Sequence, residues 1–465
     1  MFIKKHIGAI WKYGINFFTK GHQRSLDAKK NIIGSLLIKG ISIAIGLILV
    51  PLTINYVNPM QYGIWLTLSS MIAWISFFDI GFTNGLRNKF AEAKAKGDKE
   101  VAKIYISTTY FYIAIIFITL WIVFMLLNQF INWHKLLSLP EAMEQEVSKL
   151  AILIFSYFCF QFIFRVIGTI LVADQQPAKA SLLDMLGQLL SLAIIFTLTR
   201  LTNGSILYLG LAVGIAPTLI LVVANIYLFN TKYKEYKPAL KFVQKKYAKN
   251  LMKLGLKFFI LQITTIIQYE SSLFIIAHYF NATDPTAVTS YNIAYKYFFT
   301  LQMGFMILLS PLWSGVTDAY NSGDVVWIKN MVKKYLLLLI PFILVGIIML
   351  VFADQVYELW LGKNVVHIEF NISLLFFIFF STGMFASVFV AIINGMGALK
   401  IQFISSLISS AGFFCLALLL INHFHLGVQS VIISSIVANV FGYVIAPIQV
   451  YKMFYKKSAS PIWYK

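Results

Sequence analysis

Charge is scarce in this chain. Only 12% of its 465 residues are Asp, Glu, Lys or Arg, about half the share of an ordinary soluble domain. A soluble globule of this length needs far more polar surface to cover its core, so a soluble enzyme and a disordered chain are both excluded. Cysteine is nearly missing: Cys159 and Cys415 stand alone within apolar stretches. They form no disulfide or metal spacing and read as two small buried residues. No GxxxxGK[ST] run occurs, so the chain does not itself hydrolyse ATP. Gly395-Met-Gly397 reads as a turn, and His423-Phe-His425 as a solvated loop rather than a metal pair. No metal or cofactor is expected. The Asn281-Ala-Thr283 sequon is chemically available, but nothing else points to a secretory-pathway host.

What is abundant is apolar sequence: 59% of residues are hydrophobic and the mean hydropathy is +0.78. The apolar residues gather into twelve segments, at 31–56, 62–87, 103–128, 149–173, 180–200, 205–229, 250–279, 286–317, 333–353, 371–395, 399–421 and 427–452. Each can cross a hydrocarbon slab of about 30 Å at about 1.5 Å per residue. Each must be a helix, because lipid cannot satisfy open backbone groups. The expectation is an all-α integral membrane protein with about twelve transmembrane helices.

The formal net charge of +20 admits nucleic acid, a membrane surface or an anionic substrate as partner. Its distribution decides. With a cytoplasmic N-terminus, the inward segments 1–30, 87–103, 174–179, 230–253, 318–334, 396–400 and the tail from Lys452 hold 30 of the 38 Lys and Arg. The outward loops hold Lys135, Lys149, Arg200 and Lys363. Such asymmetry over short loops is a positive-inside pattern, and it places both termini in the cytoplasm. The basic runs therefore meet anionic membrane lipids, and no nucleic acid is expected. The first twenty residues form a candidate interfacial helix, with Ile3, Ile7, Ile10, Trp11, Phe17 and Phe18 on one face and Lys5, Lys12 and Lys20 on the other. They carry no signal-peptide pattern.

The outward loops do not exceed about 20 residues, too short for an extramembrane catalytic domain. Their acidic residues (Glu141, Glu144 and Glu146; Asp354, Glu358 and Glu369) show no catalytic arrangement.

The chain also repeats itself. Gly97-Asp98 closes the second segment and Gly323-Asp324 the eighth; the loop Ala173–Lys179 after the fourth has a counterpart in Asn394–Lys400 after the tenth. Tyr62 and Tyr291 open the second and eighth segments after loops containing Pro59 and Pro285. Six segments per half make a parallel repeat with its pseudo-two-fold along the membrane normal, as in rocking-bundle transporters. The expected organisation is an amphipathic segment 1–30, a six-helix bundle 31–229, a basic connector 230–249, a second bundle 250–452 and a tail 453–465.

The stretches Gln61-Tyr-Gly-Ile-Trp65 and Phe78-Asp79-Ile-Gly81-Phe-Thr-Asn84-Gly85-Leu-Arg87 resemble the second span of polysaccharide (O-antigen, Wzx-type) flippases, and Ile393-Asn394-Gly395-Met-Gly397 resembles their tenth-to-eleventh connection. With the duplicated twelve-span plan, the resemblance covers residues 30–455. These flippases share a superfamily with MATE-type multidrug exporters and the fourteen-span lipid II flippase. The resemblance implies a MOP/MATE-like fold in a bacterial inner membrane. It also implies translocation of a polyprenyl-diphosphate-linked oligosaccharide to the outer leaflet, driven by a proton or Na⁺ gradient, with a polysaccharide polymerase complex as a further partner. An ion-coupled exporter of cationic drugs, a membrane glycan polymerase or transferase, and a non-transporting assembly subunit remain alternatives.

Ionisable groups inside a membrane cost about 2.5–3.5 kcal/mol each on insertion scales, so they face protein or a wet cavity. Lys39, Asp79 and Arg165 lie roughly 12–14 Å from the cytoplasmic end of their segments. Glu270 and Lys296 are matched in depth near the other side, and Lys257 lies in the cytoplasmic third of its segment. In one reading Asp79 pairs with Arg165 and Glu270 with Lys296, closing each bundle. In the other, which the superfamily plan implies, Lys39, Lys257 and Lys296 offer ammonium donors to a diphosphate, while Asp79 and Glu270 carry the coupling ion. Arg87, at the cytoplasmic mouth, either steers the anion or anchors topology. Tyr269, Tyr291, Tyr295 and Trp313 suit sugar rings as well as packing, as do the amides Gln268 and Asn292. Pro51 and Pro311 are candidate hinges, since proline frees a carbonyl within a helix.

Overall fold

The computed structural model describes residues 23–73, 82–398, 400–456 and 463; the side chains of 253–270 and of several positions within 23–36 and 310–321 are not among those described. The expected interfacial helix at 1–20 and Asp79 lie outside the described residues.

The described residues contain no strand. The helices are α1 (Gln23–Val57), α2 (Pro59–Ala73), α3 (Phe82–Ala95), α4 (Lys99–Asn128), the single turn α5 (Trp133–Leu136), α6 (Glu144–Ala173), α7 (Pro177–Leu201), α8 (Ile206–Asn230), α9 (Lys245–Phe280), α10 (Ala287–Asn321), α11 (Val325–Val351), α12 (Ala353–Leu361), α13 (Phe370–Met396), α14 (Lys400–Asn422), α15 (Gln429–Ala438) and α16 (Ala446–Phe454). Among the described residues, 9 helices are long and apolar enough to cross a membrane. The remaining apolar segments, 62–87, 250–279 and 286–317, fall on α2 with α3, on α9 and on α10. Helix ends match the apolar blocks closely because lipid leaves the backbone no alternative. The largest differences are equal: α1 begins at Gln23 rather than 31, α3 ends at Ala95 rather than 87, and α11 begins at Val325 rather than 333. Its first turns carry Lys329, Lys333 and Lys334, which extend the helix beyond the apolar stretch.

The two halves share the same punctuation. Gly97 and Gly323 have φ of 74° and 77°, a left-handed conformation that costs a residue with a Cβ about 1–2 kcal/mol. Each ends its helix, and the next residue begins another: Asp98 accepts from Val101 N at 3.0 Å and Asp324 from Trp327 N at 2.9 Å. The other landmark recurs likewise. Gln176 N donates to Leu171 O and Ala398 N to Ile393 O, around left-handed Gln175 and Gly397.

The chain forms two compact units. The first comprises Met1–Tyr56, Phe78–Gln129 and Ile152–Phe258. In it α7 packs on α8 at Gly187, where a Cβ would lie 2.9 Å from the Pro217 backbone. Asn225 on α8 accepts from the Tyr110 hydroxyl at 2.6 Å and donates to Phe164 O at 2.8 Å, tying three helices through a satisfied polar node. The basic connector is pinned to α4: Ala239 N donates to Ser107 Oγ, Gln244 N to Thr108 Oγ1, and Glu235 pairs with Lys99.

Between α6 and α7 the buried Asp174 carboxylate gathers Lys94, Lys232 (2.5 Å), the Tyr233 hydroxyl (2.8 Å) and the Gln176 amide (2.5 Å). Burial alone would raise its pKa. The hydrogen bonds from Lys232, Lys94 and Tyr233 outweigh it and hold the carboxyl below its ordinary value. A lowered folded-state pKa stabilises the fold above the ordinary carboxylate range, and that contribution fades as pH falls through the lowered value. Asp174→Asn is therefore expected to lower the thermal midpoint at neutral pH and to bring it closer to the parent's below about pH 4. Unfolding scans of both proteins across pH check this.

The second unit comprises Val57–Phe77, Phe130–Ala151 and Phe259–Lys465. At its centre α10 lies along α13, with Phe305, Phe376 and Phe380 at 0–1% exposure. The last span is broken by a five-residue π turn, Phe441–Ile445, between α15 and α16.

Two sequence expectations are corrected. Cys159 is buried, but Cys415 is exposed on α14; where lipid is the solvent, an apolar thiol has no need of the interior. Asn281 is not available as a glycosylation acceptor. It is 6% exposed, and its amide donates to Leu137 O at 2.9 Å.

Candidate functional site

The second unit brings α2 against α10. Thr289 Oγ1 donates to Pro59 O at 2.6 Å, and a Cβ at Gly63 would lie 3.0 Å from Thr289 Oγ1, so the helices touch closely there. Two turns further along α10, Lys296 Nζ donates to the Tyr62 hydroxyl at 3.0 Å and sits 5.8 Å from the centre of its ring. Tyr62 stacks on Trp65 with centroids 5.7 Å apart. Tyr62, Trp65 and Ser69 share a face of α2 by their spacing of three and four. Trp65 Nε1 and Ser69 Oγ are buried without a hydrogen-bond partner among the described residues. No described carboxylate pairs with Lys296. The result is a cation on an apolar helix whose described neighbours are neutral.

Along the same stretch of α10, two adjoining cavities open among α9, α10, α13 and the last two spans. The smaller, about 180 Å³, includes Tyr291, Asn292, Tyr295, Phe379 and Ser435 in its walls. The larger, about 470 Å³, includes Tyr295, Phe299, Gln302, Phe379, Gln402 and Asn439. Tyr295 and Phe379 belong to both. Among the described residues, neither cavity has an Asp, Glu, Lys, Arg or His in its lining. The carbonyl oxygens Asn292 Oδ1 and Gln402 Oε1 are buried and unpartnered among the described residues. Leaving such an acceptor unpaired costs about 1–3 kcal/mol.

Of the residues singled out in the sequence, the structure brings Tyr291, Asn292 and Tyr295 to these cavities and places Lys296 against Tyr62. Lys39 on α1, Arg87 on α3 and Arg165 on α6 are exposed. Arg165 acts electrostatically on Asp184 of α7. Lys257, Gln268, Tyr269 and Glu270 lie on α9, and Pro311 and Trp313 on α10, with side chains outside those described. Pro51 lies inside the continuous helix α1.

The amides Gln302, Gln402 and Asn439 were not anticipated. The signal was available: uncharged polar groups within apolar spans obey the same solvation argument as charges, at lower cost.

Comparison with known proteins adds the following. A family model described as polysaccharide biosynthesis protein matches residues 28–313. No curated protein sequence matches. The chain is similar to the solved inward-facing conformation of a multidrug resistance MATE family transporter of the MOP superfamily, with a TM-score of 0.74, 15% identity, and coverage of 92% of this chain and 100% of that one. It is also similar to a MOP superfamily transporter from Pyrococcus furiosus, described by the reverse polarity of its binding pocket (TM-score 0.61, 15% identity, 92% and 96% coverage). A Vibrio cholerae MATE transporter gives 0.61, with 14% identity and 94% and 100% coverage. At these identities the likeness shows the fold, which is the all-α MOP/MATE transporter fold of a multi-pass membrane protein.

Proposed function

Because the chain belongs to the polysaccharide biosynthesis protein family, we propose that it is a flippase. Its cargo is a polyprenyl-diphosphate-linked oligosaccharide (a repeat unit of O-antigen, capsule or exopolysaccharide), carried from the cytoplasmic to the outer leaflet of a bacterial inner membrane. The observation that carries this reading is Lys296. An intramembrane ammonium whose described partners are a tyrosine hydroxyl and its ring is a donor suited to an anion such as a diphosphate. A transporter of cationic drugs would instead need acidic walls, and the described lining residues of both cavities of the second unit are neutral.

In this reading Lys39 and Lys257 assist the diphosphate at other depths, and Asp79 and Glu270 carry a proton or Na⁺ on the return stroke. Arg87 draws the anion to the cytoplasmic mouth. No covalent bond is made or broken; the energy comes from the gradient. The joined ends of α2 and α10, at Pro59, Gly63 and Thr289, are the contact that must open to release the sugar outward, and the Lys296–Tyr62 bond lies next to it.

The test is reconstitution of the full chain in proteoliposomes with a fluorescent polyprenyl-diphosphate disaccharide. Movement that depends on the protein and on an imposed proton or Na⁺ gradient is expected. Movement of a cationic dye with no movement of the diphosphate lipid overturns the proposal.

A further inference from the structure

We propose that the lysine-rich rim of each unit holds the phosphate of an anionic membrane lipid, at a lysine lying over an aromatic ring. In the first unit the site is Lys103, Lys241 and Phe242, with Leu240 beside the acyl chain. In the second it is Lys329 and Lys333 with Tyr455 and Tyr451. The occupant is a bulk membrane lipid, and its site stands whatever the cargo is.

The arrangement is duplicated. Lys103 and Lys329 each stand five residues after the aspartate cap of their helix, Asp98 of α4 and Asp324 of α11. Each is half-buried, and each ammonium lies 4.6 Å from a ring centre, Lys103 over Phe242 and Lys329 over Tyr455. The rings come from different settings, one from the connector after α8 and the other from the residue after α16. A second lysine accompanies each. Lys241 is 5.2 Å from the centre of the same Phe242 ring, and Lys333 shares a face of α11 with Lys329 by its spacing of four. Tyr451 stacks on Tyr455 at 5.6 Å, and both are exposed.

A ring holds an ammonium in place without cancelling its charge, as a carboxylate would. Among the described residues no ion pair involves Lys103, Lys241, Lys329 or Lys333, and Glu100, one turn before Lys103, forms none either. Helix α11 and residues 446–465 contain no acidic residue at all. Cations that are positioned but not neutralised suit an anion. Their level along the helices selects a lipid. No charged residue follows Lys103 within α4 or Lys334 within α11, so both helices enter hydrocarbon just past these lysines. The connector meets α4 one turn inside that boundary, where Ala239 N donates to Ser107 Oγ and Gln244 N to Thr108 Oγ1, both at 3.2 Å. Leu240, between these anchors, is 78% exposed. At the edge of hydrocarbon an exposed leucine meets acyl chains. Phosphate level with the ammonium groups and chain level with the leucine is the geometry of a phospholipid. A soluble phosphate would use the first and leave the second bare.

The test is native mass spectrometry of the full chain in a neutral detergent, titrated with dioleoyl phosphatidylglycerol. Dioleoyl phosphatidylcholine, glycerol phosphate and a polyprenyl diphosphate serve as comparison probes. Two phosphatidylglycerol molecules are expected to be retained in preference to phosphatidylcholine. Lys103→Gln with Lys241→Gln should weaken one of them about 25-fold, about fivefold for each surface lysine. Lys329→Gln with Lys333→Gln should do the same to the other. The matching arginine pairs keep the charge and stack on rings, so they should keep both lipids. Lys237→Gln with Lys246→Gln removes as much charge from exposed positions of the same region and should leave both sites intact. Leu240→Gln should weaken the first lipid without lowering the thermal midpoint, because that side chain is exposed. The proposal is overturned if phosphatidylcholine is retained equally, or if the Lys237 and Lys246 pair costs as much as a ring-held pair. Loss of binding in the arginine variants, or an unchanged first lipid in Leu240→Gln, overturns it as well. Displacement of phosphatidylglycerol by glycerol phosphate would mark free-anion sites, and displacement by polyprenyl diphosphate at equal concentration would mark cargo sites; either overturns the membrane lipid as occupant.

Discussion

Lys296→Met is expected to cut translocation of a diphosphate-linked lipid by about 10- to 150-fold while leaving the protein inserted and no less stable. The range follows from the worth of a hydrogen bond to a charged group, about 1.5–3 kcal/mol, at about 1.4 kcal/mol per tenfold. The stability expectation has the opposite sign for a physical reason. The ammonium lies on an apolar helix, with the Tyr62 hydroxyl 3.0 Å away and no carboxylate among its described partners. These described partners offset its desolvation poorly. Methionine keeps the length of the stem and removes that cost, so the thermal midpoint should hold or rise. A merely structural lysine would show the reverse, with normal transport and a lowered midpoint. Lys296→Arg should recover part of the rate, since it restores the charge with a different donor geometry. Measuring flux in proteoliposomes beside unfolding in detergent separates the two cases.

The largest loss of fold should come from Gly85→Val. A Cβ at Gly85 would lie 2.7 Å from the carbonyl oxygen of Leu251 and 3.1 Å from its carbonyl carbon. These are backbone atoms in the second turn of α9 and cannot swing away as a side chain would. Replacing glycine inside a helix normally gains up to about 1 kcal/mol, but overpacking costs about 1–3 kcal/mol and sometimes more. Here α3 and α9 would have to separate, and valine adds two methyl groups to the collision. A net cost of about 2–3 kcal/mol is expected, read as a lowered yield of folded protein and a lower midpoint. Gly40→Ala is the contrast: no described atom lies within 4 Å of its Cβ on α1, so that change should be neutral or slightly stabilising. Equal behaviour of Gly85→Val and Gly40→Ala would remove the close approach as the reason for the glycine.

Gly85 also shows what a motif conceals. The sequence marks it as part of a stretch resembling a flippase span, yet nothing local demands glycine there. Its reason lies in Leu251, far along the chain. Gly97 and Gly323 are different: their left-handed φ and the aspartates that follow are local devices, and they are legible as a repeated pair. Lys296 lies between these extremes. Its depth in a span is countable from the sequence, but its partner Tyr62 is 234 residues away. The acidic partner expected at Glu270 lies on a side chain outside those described.

The amino-acid sequence alone determined the helices, their lengths and their punctuation. In hydrocarbon a backbone has no alternative to intrahelical hydrogen bonds, so each apolar block forms helix, which polar flanks such as Lys329, Lys333 and Lys334 extend. The duplicated Gly-Asp caps follow from equally local physics. The tertiary structure alone decided which polar groups meet. Neutral amides such as Gln302, Gln402 and Asn439 cost too little to force a recognisable pattern, and serine or glutamine within a span can face lipid, protein or a cavity. Only the packing of α10, α13 and the π turn of the last span gathers them around one space. The scarcity of charge made this a membrane protein.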